Sequence, residues 1–325
     1  MAARIRIITP AGRGSRSGNR NSAERWARFL RSAGYRVDVS GTYNRGAADL
    51  MVALHAWRSA GSIRRFRERY PERPLVVVLT GTDLYGYLAS DPETTLGSLE
   101  RADRLVALHG QAAEALPEAL RPRLRIIPQS AKPPPGPRQP TRRWITALVL
   151  GHLREVKDPL LPARAARLLP HRSRIRIRHL GRASDAEWAA AAAREDAATR
   201  FYRWVGERPQ GKVRRYLARA HFLIHPSRTE GGAHAVIEAV VAGVPVLASD
   251  IPGNTGLLGR EYPGLFPAGD EGALAGLLQR AETDPDFRAD LERRCATLAL
   301  RFTPEREAGD WQGLVAELLP APRHP

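Results

Sequence analysis

The sequence contains very little cysteine and no long apolar run. Cys295 is the only cysteine among 325 residues, which excludes a disulfide framework and a cysteine-based zinc site. No apolar stretch approaches the roughly 20 residues that a membrane-spanning helix needs. The first residues lead into a short strand-like segment and not into the apolar core of a signal peptide. We therefore expect a cytoplasmic protein without stable membrane insertion.

Lysine is also scarce, although the chain is strongly basic. Three of the 51 basic residues are lysines, so 48 are arginines, and the 34 acidic residues leave a net charge of +17. Such an excess favours anionic partners, namely phosphates, nucleic acid or a membrane surface. The arginines are spread along the chain and interleaved with glutamates, without a nucleic-acid motif, so we expect no nucleic-acid partner. The basic segment 64–67 leaves weak attachment to anionic lipid open.

Short apolar segments alternate with helix-length segments along most of the chain. This pattern is typical of βαβ units and predicts α/β domains with parallel sheets. The predicted strands are Ile5–Ile8, Tyr35–Val39, Asp49–Leu54, Leu75–Leu79, Leu105–Leu108, Leu124–Ile127, Ile145–Leu150, Ile175–Leu180, Phe201–Val205, Phe222–His225 and Pro245–Ala248. The more evident helices are Ser22–Arg31, Ile63–Tyr70, Asp185–Ala198 and Lys212–Ala220.

The chain length predicts about two domains. A proline-rich run at Lys132–Pro137 interrupts the alternation, since proline continues neither a helix nor a central strand. We therefore predict two Rossmann-like domains, residues 1–143 and 144–303, that face a central cleft. A last amphipathic helix, about residues 304–319, is expected to pack back on the first domain.

The most informative motif is the segment from His225 to Ser249, which is predicted to form a strand, a turn, a helix, a turn and a strand. The turn Glu230-Gly231-Gly232 is expected to open the helix. Glycines allow a close ligand approach, and a helix N-terminus offers free N–H groups, so a diphosphate would fit there. Glu230 and Glu238 lie eight residues apart, about 12 Å along a helix axis. Two separated carboxylates are suited to hydroxyl groups on either side of a diphosphate.

These residues resemble the signature of family-4 glycosyltransferases of the GT-B fold. The resemblance covers most of residues 145–256 and rests on the two glutamates, the glycines and the following Ala-Gly-Val-Pro-Val-Leu-Ala-Ser. It implies that Glu230 contacts the donor sugar and that Glu238 binds the ribose of the nucleotide. The remaining donor-binding candidates are Ser227, Gly231, Gly232, Ala233 and His152.

A second part of the resemblance lies in Gly151-His152-Leu153-Arg154-Glu155-Val156-Lys157. It implies that Lys157 binds the donor diphosphate. His152 stands where the family has an arginine, and Arg154 comes two residues later, so Arg154 is either a second diphosphate contact or a solvated loop charge. With Glu230, these two cations are the catalytic candidates. No convincing Asp-x-Asp motif is present, so we expect neither a metal nor another cofactor.

The loop after the first strand carries the candidate acceptor site. Arginine side chains, hydroxyl groups and backbone N–H groups together suit a small phosphate-like anion, although a flexible surface loop is the alternative. The candidate residues in this loop are Arg13, Ser15, Arg16, Ser17, Asn19 and Arg20.

Further acceptor-binding candidates follow two later strands, where α/β folds bind ligands. His55 is either a ligand contact or an ordinary strand-end histidine. Thr80, Thr82 and Asp83 follow the next strand, and Asp83 is expected to have an arginine or hydroxyl partner. Many family-4 enzymes have a histidine, which contacts the donor sugar, where Thr82 stands, so the family mechanism does not transfer at this position.

The whole chain is similar to a narrower family, the selenosugar synthases of selenoneine biosynthesis. The similarity rests on Ser-Arg-Ser-Gly-Asn-Arg, Leu-His-Ala, Thr-Gly-Thr-Asp-Leu-Tyr, Pro-Gln-Ser and Glu-Gly-Gly-Ala-His, in this order. It implies transfer from UDP-N-acetylglucosamine or UDP-glucose to selenophosphate, with selenophosphate synthetase and selenoneine synthase as pathway partners. A selenium anion needs no general base, unlike a hydroxyl. Two alternatives remain open, namely a family-4 glycosyltransferase with another acceptor and a non-catalytic nucleotide-sugar-binding protein.

Overall fold

The backbone forms two units, each built on one parallel sheet. A computed structural model of the chain describes residues 2–12, 14, 18–134 and 136–319. One unit consists of residues 1–129 together with the segment from Pro304, and the other of Ser130–Thr303. Within the described residues each unit has six strands, all paired in parallel, with helices between them. The predicted α/β class is confirmed.

The first sheet has the order β2-β1-β3-β4-β5-β6. Its central strands are apolar along their whole length and buried, as expected for a parallel sheet covered on both faces. The strands are β1 Arg4–Ile8, β2 Arg36–Ser40, β3 Leu50–Leu54, β4 Leu75–Val78, β5 Arg104–Ala107 and β6 Leu124–Ile126. The α-helices are α1 Gly18–Ser32, α2 Ala60–Arg69, α3 Leu88–Ser90, α4 Pro92–Glu100 and, near the C-terminus, α12 Pro304–Leu318.

The second sheet has the order β12-β11-β10-β7-β8-β9. Its strands are β7 Ile145–Leu150, β8 Ile175–Leu180, β9 Tyr202–Gly206, β10 Phe222–His225, β11 Val246–Ser249 and β12 Leu265–Phe266. Its helices are α5 Leu161–Arg167, α6 Ala186–Ala198, α7 Gln210–Arg219, α8 His234–Val241, α9 Pro252–Leu258, α10 Glu271–Thr283 and α11 Pro285–Ala299. The two-residue strand β12 is too short to leave a pattern in the sequence and was not predicted.

The boundary between the units falls at Gln129 and Ser130, before the proline-rich run and not at residue 143 as the sequence suggested. The segment 136–143 bonds to the second unit through its backbone and side chains. The backbone N–H of Gln139 donates to the Ala218 carbonyl at 2.8 Å, and the Arg138 guanidinium donates to the Ala220 carbonyl at 3.0 Å.

The last helix, α12, belongs to the first unit and packs on α1. Trp311 is fully buried, and its ring centre lies 4.5 Å from that of Trp26. The indole Nε1 of Trp26 donates to Glu307 Oε1 at 2.7 Å, and Arg25 Nε lies 3.0 Å from Glu307 Oε2. A residue far along the chain therefore supplies the carboxylate that the α1 indole and guanidinium need.

Among the helices of the described ranges, none has the length and apolar character needed to cross a membrane.

The contact between α12 and α1 predicts a large stability effect for Trp311→Ala. Removing a buried tryptophan should lower the free energy of unfolding by about 3–5 kcal/mol, through lost burial and the cavity left behind. Glu305→Gln is the matched control, since Glu305 lies on the same helix but is exposed, and it should change stability by less than about 0.5 kcal/mol. Both values are measured by denaturant unfolding, and equal midpoints for the two variants would refute the packing role.

Candidate functional site

The order of the second sheet reverses between β7 and β10. The chain proceeds from β7 to β8 and β9 on one side and then returns to β10, β11 and β12 on the other. In open α/β sheets, ligands bind at the carboxyl ends of the strands where this reversal occurs. The loops that follow β7 and β10 carry Lys157, Arg154 and Glu230, so the three residues predicted to be catalytic lie at the reversal.

Lys157 and Glu230 form an ion pair. The Lys157 Nζ contacts Glu230 Oε1, and His225 Nε2 lies 3.0 Å from the same oxygen. Burial alone would raise the pKa of the Glu230 carboxyl, but the Lys157 ammonium and the His225 imidazole outweigh it and hold the pKa well below its usual range. Glu230 is therefore an anion at neutral pH. His225, at the end of β10, is a contact that the sequence reasoning did not assign.

The Lys157 loop is held in place by Asp158. Asp158 has a φ of +39°, which is uncommon for a residue other than glycine, and it ends the short 3₁₀ turn Glu155–Lys157. Its carboxylate lies 3.1 Å from Arg228 Nη2 and 3.4 Å from Arg164 Nη2. The Arg228 backbone N–H also donates to the Val156 carbonyl at 2.9 Å. The loops after β7 and β10 are thus fastened to each other beside Lys157.

The Glu230 backbone is fixed by a close approach from α9. A side-chain carbon on Gly253 would lie 2.3 Å from the Glu230 carbonyl oxygen, so glycine is required there. Behind the turn, Asn254 Nδ2 donates to the Ser249 carbonyl at 2.9 Å, and the Ser249 hydroxyl donates to the Ser227 carbonyl. This buried network positions the loop after β10.

Two expectations about the motif need correction. The helix α8 begins at His234 and not at the Glu230 turn, so the separation of Glu230 and Glu238 is not a helical rise of 12 Å. Residues 231–233 form an irregular bend before the helix, with Ala233 in the N-cap position and buried. Ser227 is fully buried with its hydroxyl 3.3 Å from His225 Nε2, so its side chain supports the histidine and is not open to a ligand.

Glu238 lies one turn into α8 and is partly exposed. Its Oε1 accepts a hydrogen bond from Gln210 Nε2 at 2.6 Å and lies 3.8 Å from His234 Nδ1. Gln210 is the first residue of α7, and the sequence gave no signal for it. The carboxylate therefore has a neutral polar partner that a ligand hydroxyl can replace.

The surroundings of His152 and Arg154 are positively charged. Desolvation lowers the pKa of His152, and the charges of Arg182, Arg154 and Lys157 lower it further against the opposite effect of Glu207. His152 is therefore neutral near pH 7, and its Nδ1 accepts from the Arg182 backbone N–H at 3.1 Å. Arg154 is exposed. The loop after β7 thus offers positive charge beyond that of Lys157.

A buried histidine supports the start of this loop from β8. His179 Nε2 lies 3.0 Å from the Gly151 carbonyl, and its Nδ1 lies 2.9 Å from the Tyr202 hydroxyl. Burial lowers the pKa of His179 to about 4, so it is neutral near pH 7. Gly181 makes the loop's close approach possible, since a side-chain carbon there would overlap the Gly151 carbonyl.

The first sheet has its own reversal of strand order, between β1 and β3. His55 directly follows β3 and has a φ of +70°, a left-handed conformation that costs roughly 1–2 kcal/mol in a residue with a side chain. Its imidazole Nδ1 lies 2.7 Å from Asp83 Oδ1, and its Nε2 lies 3.1 Å from the Thr82 hydroxyl. The Thr80 hydroxyl donates to Asp83 Oδ2 at 2.9 Å. Four predicted acceptor residues are therefore brought together.

Asp83 was expected to have an arginine or hydroxyl partner, and it has the Thr80 hydroxyl, together with the imidazole of His55. The remaining acceptor candidates of this unit come from the loop after β1. Asn19 and Arg20 lie in the first turns of α1, where Arg20 is mostly buried and pairs with Glu24. Arg13, Ser15, Arg16 and Ser17 lie outside the described residues.

Sequence reasoning missed two buried polar groups in the first unit. They are the Thr9 hydroxyl, directly after β1, and the His109 imidazole, after β5. Thr9 Oγ1 and His109 Nδ1 have no hydrogen-bond partner among the described residues. Burial lowers the pKa of His109 to about 4, and the Tyr85 hydroxyl lies 3.3 Å from its Nε2. Single threonines and histidines after strands are too common to have been selected from the sequence.

The second unit is similar in sequence to known glycosyltransferases. Residues 139–296 match the sequence model of the family described as glycosyl transferases group 1. Over 120 residues the chain is 33% identical to glycosyltransferase 1 domain-containing protein 1 of Xenopus tropicalis, and this match covers 35% of the chain and 33% of that relative's length. The stretch 139–296, which matches this family model, contains Lys157, Glu230 and Glu238.

Solved structures extend the likeness to both units. Sucrose-phosphate synthase from Thermosynechococcus elongatus matches with a TM-score of 0.79 at 16% identity, over 97% of this chain and 99% of that one. Anabaena HepE in complex with UDP matches with a TM-score of 0.77 at 13% identity, over 98% and 100% of the two chains. Another HepE structure holds UDP-glucose. The predicted GT-B fold is confirmed.

The ion pair predicts a large effect for Lys157→Met. This change leaves the Glu230 carboxylate without its main cation and should lower the free energy of unfolding by about 3 kcal/mol at neutral pH. The double variant Lys157→Met/Glu230→Gln should recover most of the loss, because the uncompensated charge is gone. Because the pair lowers the pKa of Glu230 below its ordinary 4.5, its stabilisation is present above about pH 4.5 and lost at lower pH. Denaturant unfolding at pH 7 and pH 3 measures both effects, and a double variant no more stable than the single one would contradict the assignment.

Proposed function

We propose that this chain is a glycosyltransferase that uses a nucleotide-sugar donor. The observation that carries the proposal is the Lys157–Glu230 pair at the reversal of the second sheet, inside the stretch that matches the glycosyltransferase family. An ion pair with a purely structural role could lie anywhere in the protein. This one lies at the carboxyl edge of the sheet, where α/β proteins bind ligands.

The donor diphosphate is assigned to Lys157 and to the N–H groups at the start of α8. Lysine is a compact charge on a flexible stem, so its ammonium can exchange the Glu230 carboxylate for a phosphate oxygen. The charges around His152 add to the attraction. Positive groups aimed at the diphosphate stabilise the negative charge that develops when the sugar leaves it. Glu230, freed from Lys157, is then an acceptor for the hydroxyl groups of the sugar.

The nucleoside part is assigned to Glu238. A carboxylate accepts two hydroxyl hydrogen bonds, which fits the neighbouring hydroxyl groups of a ribose. Among the relatives in structure, HepE holds UDP and UDP-glucose, which supports uridine in the donor. We therefore propose UDP-glucose or UDP-N-acetylglucosamine.

For the acceptor we propose selenophosphate, bound by the first unit. The selenium attacks the anomeric carbon, the bond from that carbon to the diphosphate oxygen breaks, and UDP leaves. Water then cleaves the Se–P bond and supplies the oxygen of the released phosphate, leaving a 1-selenosugar. Support comes from the sequence similarity over the whole chain and from the polar cluster after β3 and β4. The nucleophile is already an anion, so the scheme needs no base to create it.

The proposal also includes the enzymes that act before and after this one, and the compartment. Selenophosphate synthetase would supply the acceptor and selenoneine synthase would consume the product, both in the cytoplasm. Lys157 and the α8 N-terminus supply the positive charge for the leaving group, so the scheme uses no metal.

A hydroxyl acceptor is the second candidate, and one observation favours it. The 2.7 Å contact between His55 and Asp83 resembles the pairs that take a proton from a hydroxyl nucleophile, and here the proton would pass through the exposed Thr82 hydroxyl that His55 contacts. Such a reaction would use the same donor and the same second unit.

The deciding experiment incubates the protein with each UDP-sugar and selenophosphate and analyses the products by mass spectrometry. We expect a compound with a carbon–selenium bond, together with UDP and phosphate, and no such product when inorganic phosphate replaces selenophosphate. UDP released only with hydroxyl acceptors would overturn the selenophosphate assignment and keep the glycosyltransferase. Tight UDP-sugar binding without any turnover would indicate a non-catalytic binding protein.

The assignment of Glu238 predicts that Glu238→Ala weakens UDP-glucose binding by about tenfold or more, the loss expected when hydrogen bonds to a charged group are removed. Gln210→Ala is the matched control, because it removes the protein partner of Glu238 but keeps the carboxylate. It should bind the donor at least as well as the unmodified protein. Isothermal titration calorimetry measures both, and a Glu238→Ala dissociation constant within twofold of the original would refute the role.

A further inference from the structure

A ring of four polar side chains joins the ends of β3 and β4 in the first unit. It runs from Asp83 Oδ1 to His55 Nδ1 at 2.7 Å and from His55 Nε2 to the Thr82 hydroxyl at 3.1 Å. The Thr82 and Thr80 hydroxyl oxygens lie 3.1 Å apart, and the Thr80 hydroxyl returns to Asp83 Oδ2 at 2.9 Å. The ring connects a buried carboxylate to an exposed hydroxyl.

Asp83 cannot itself contact a ligand. It is 0% exposed, and both carboxylate oxygens already accept hydrogen bonds from the protein. The Trp57 backbone N–H donates to Oδ1 at 3.2 Å, and the Thr80 backbone N–H donates to Oδ2 at 2.9 Å. Asp83 therefore acts by fixing the imidazole of His55.

His55 is also too buried to make the contact, with 2% of its surface exposed. Its left-handed backbone is a conformation that glycine would adopt without cost, so the imidazole must be what the position requires. The Tyr87 ring lies 5.7 Å away, and Asp83 is the charged group in contact with the imidazole. Thr82, by contrast, is exposed, so it is the member of the ring that a ligand can reach.

The direction of the hydrogen bonds determines which ligand fits. The Thr80 hydroxyl donates its proton to Asp83, so in the contact between the two threonines Thr82 is the donor. At the buried end of the ring, the Arg58 backbone N–H also approaches His55 Nδ1 at 3.3 Å. The Thr82 proton can turn from Thr80 to the oxygen of a ligand, because Thr82 is exposed. A hydroxyl that offers its proton suits the acceptor oxygens of a phosphate-type anion.

A second observation indicates a ligand at the same edge of the sheet. Thr9 directly follows β1, the strand beside β3, and the register pairs Ile8 with Ala53 two residues before His55. The Thr9 side chain is buried, and its Oγ1 has no hydrogen-bond partner within the described part of the chain. A buried hydroxyl without a partner is uncommon and suggests a missing ligand or water.

We infer that Thr82, oriented by the Asp83–His55 pair, is the contact for a phosphate-type oxyanion in the first unit. Thr82 is the binding residue, and His55 and Asp83 are positioning residues that act through it. The inference rests on the proposed function in one respect, since it takes the oxyanion to be the phosphate group of the acceptor.

The first test uses steady-state kinetics with selenophosphate. Thr82→Val keeps the shape but removes the hydroxyl, and it should raise the acceptor KM about tenfold or more, the loss expected for one hydrogen bond to a charged group. The donor KM should not change. Thr82→Ser is the matched control and should retain the acceptor KM, since it keeps the hydroxyl.

His55→Asn tests the positioning role. Asparagine tolerates the left-handed backbone and can donate to Asp83, but it has no second ring nitrogen for Thr82. The variant should keep its thermal midpoint and yet raise the acceptor KM as Thr82→Val does. A role in folding alone would lower the midpoint and leave the acceptor KM unchanged, which would overturn the inference.

Calorimetric titration with inorganic phosphate separates this inference from the proposed function. The unmodified protein and Thr82→Ser should bind phosphate, and Thr82→Val and His55→Asn should bind it about tenfold more weakly. Phosphate binding with this pattern but no selenosugar would refute the selenophosphate reaction and support the oxyanion site. An unmodified protein that binds no phosphate, or two variants within twofold of it in both phosphate affinity and acceptor KM, would overturn the inference.

Discussion

The ion pair between Lys157 and Glu230 is the interaction on which the second unit's site depends. A buried carboxylate is costly without a partner, so the loops after β7 and β10 must stay in contact. The features around them serve that contact. Asp158 joins Arg164 and Arg228 beside Lys157, and Gly253 allows α9 to press against the Glu230 backbone. Under the proposed function, the same pair is also the part of the site that the donor opens, with a phosphate replacing the carboxylate and a sugar hydroxyl replacing the ammonium.

The two units share the same features where the strand order of their sheets reverses. Each sheet reverses its strand order once, and each reversal has polar side chains on the loops that leave its two strands. Among the described residues, two that are not glycine have a positive φ, and both lie beside these reversals, His55 in the first unit and Asp158 in the second. Backbone strain of this kind persists where the side chain is needed and the surroundings hold it.

The fold and the motif around Glu230 could be predicted from the sequence, because both depend on local patterns. Strands in a parallel sheet are buried apolar runs, and the motif around Glu230 keeps its glutamates and glycines within one strand–turn–helix unit. The partners could not be predicted. Lys157 and Glu230 are 73 residues apart, and Gln210 is 28 residues from Glu238, so each contact exists only after the sheet has formed. The start of α8 was misjudged because glycines after a strand fit a bend as well as a helix start.

The large arginine content has a structural use that composition alone does not reveal. Many guanidinium groups donate to backbone carbonyls, such as that of Arg67 to the Arg101 carbonyl at the end of α4 and that of Arg174 to the Arg142 carbonyl before β7. A rigid fork with five donors suits such permanent contacts, whereas a lysine ammonium holds its partner less firmly. In a chain with 48 arginines and three lysines, a lysine beside Glu230 is therefore informative. Under the proposed function, the position requires a charge that can leave the carboxylate when a phosphate of the donor binds.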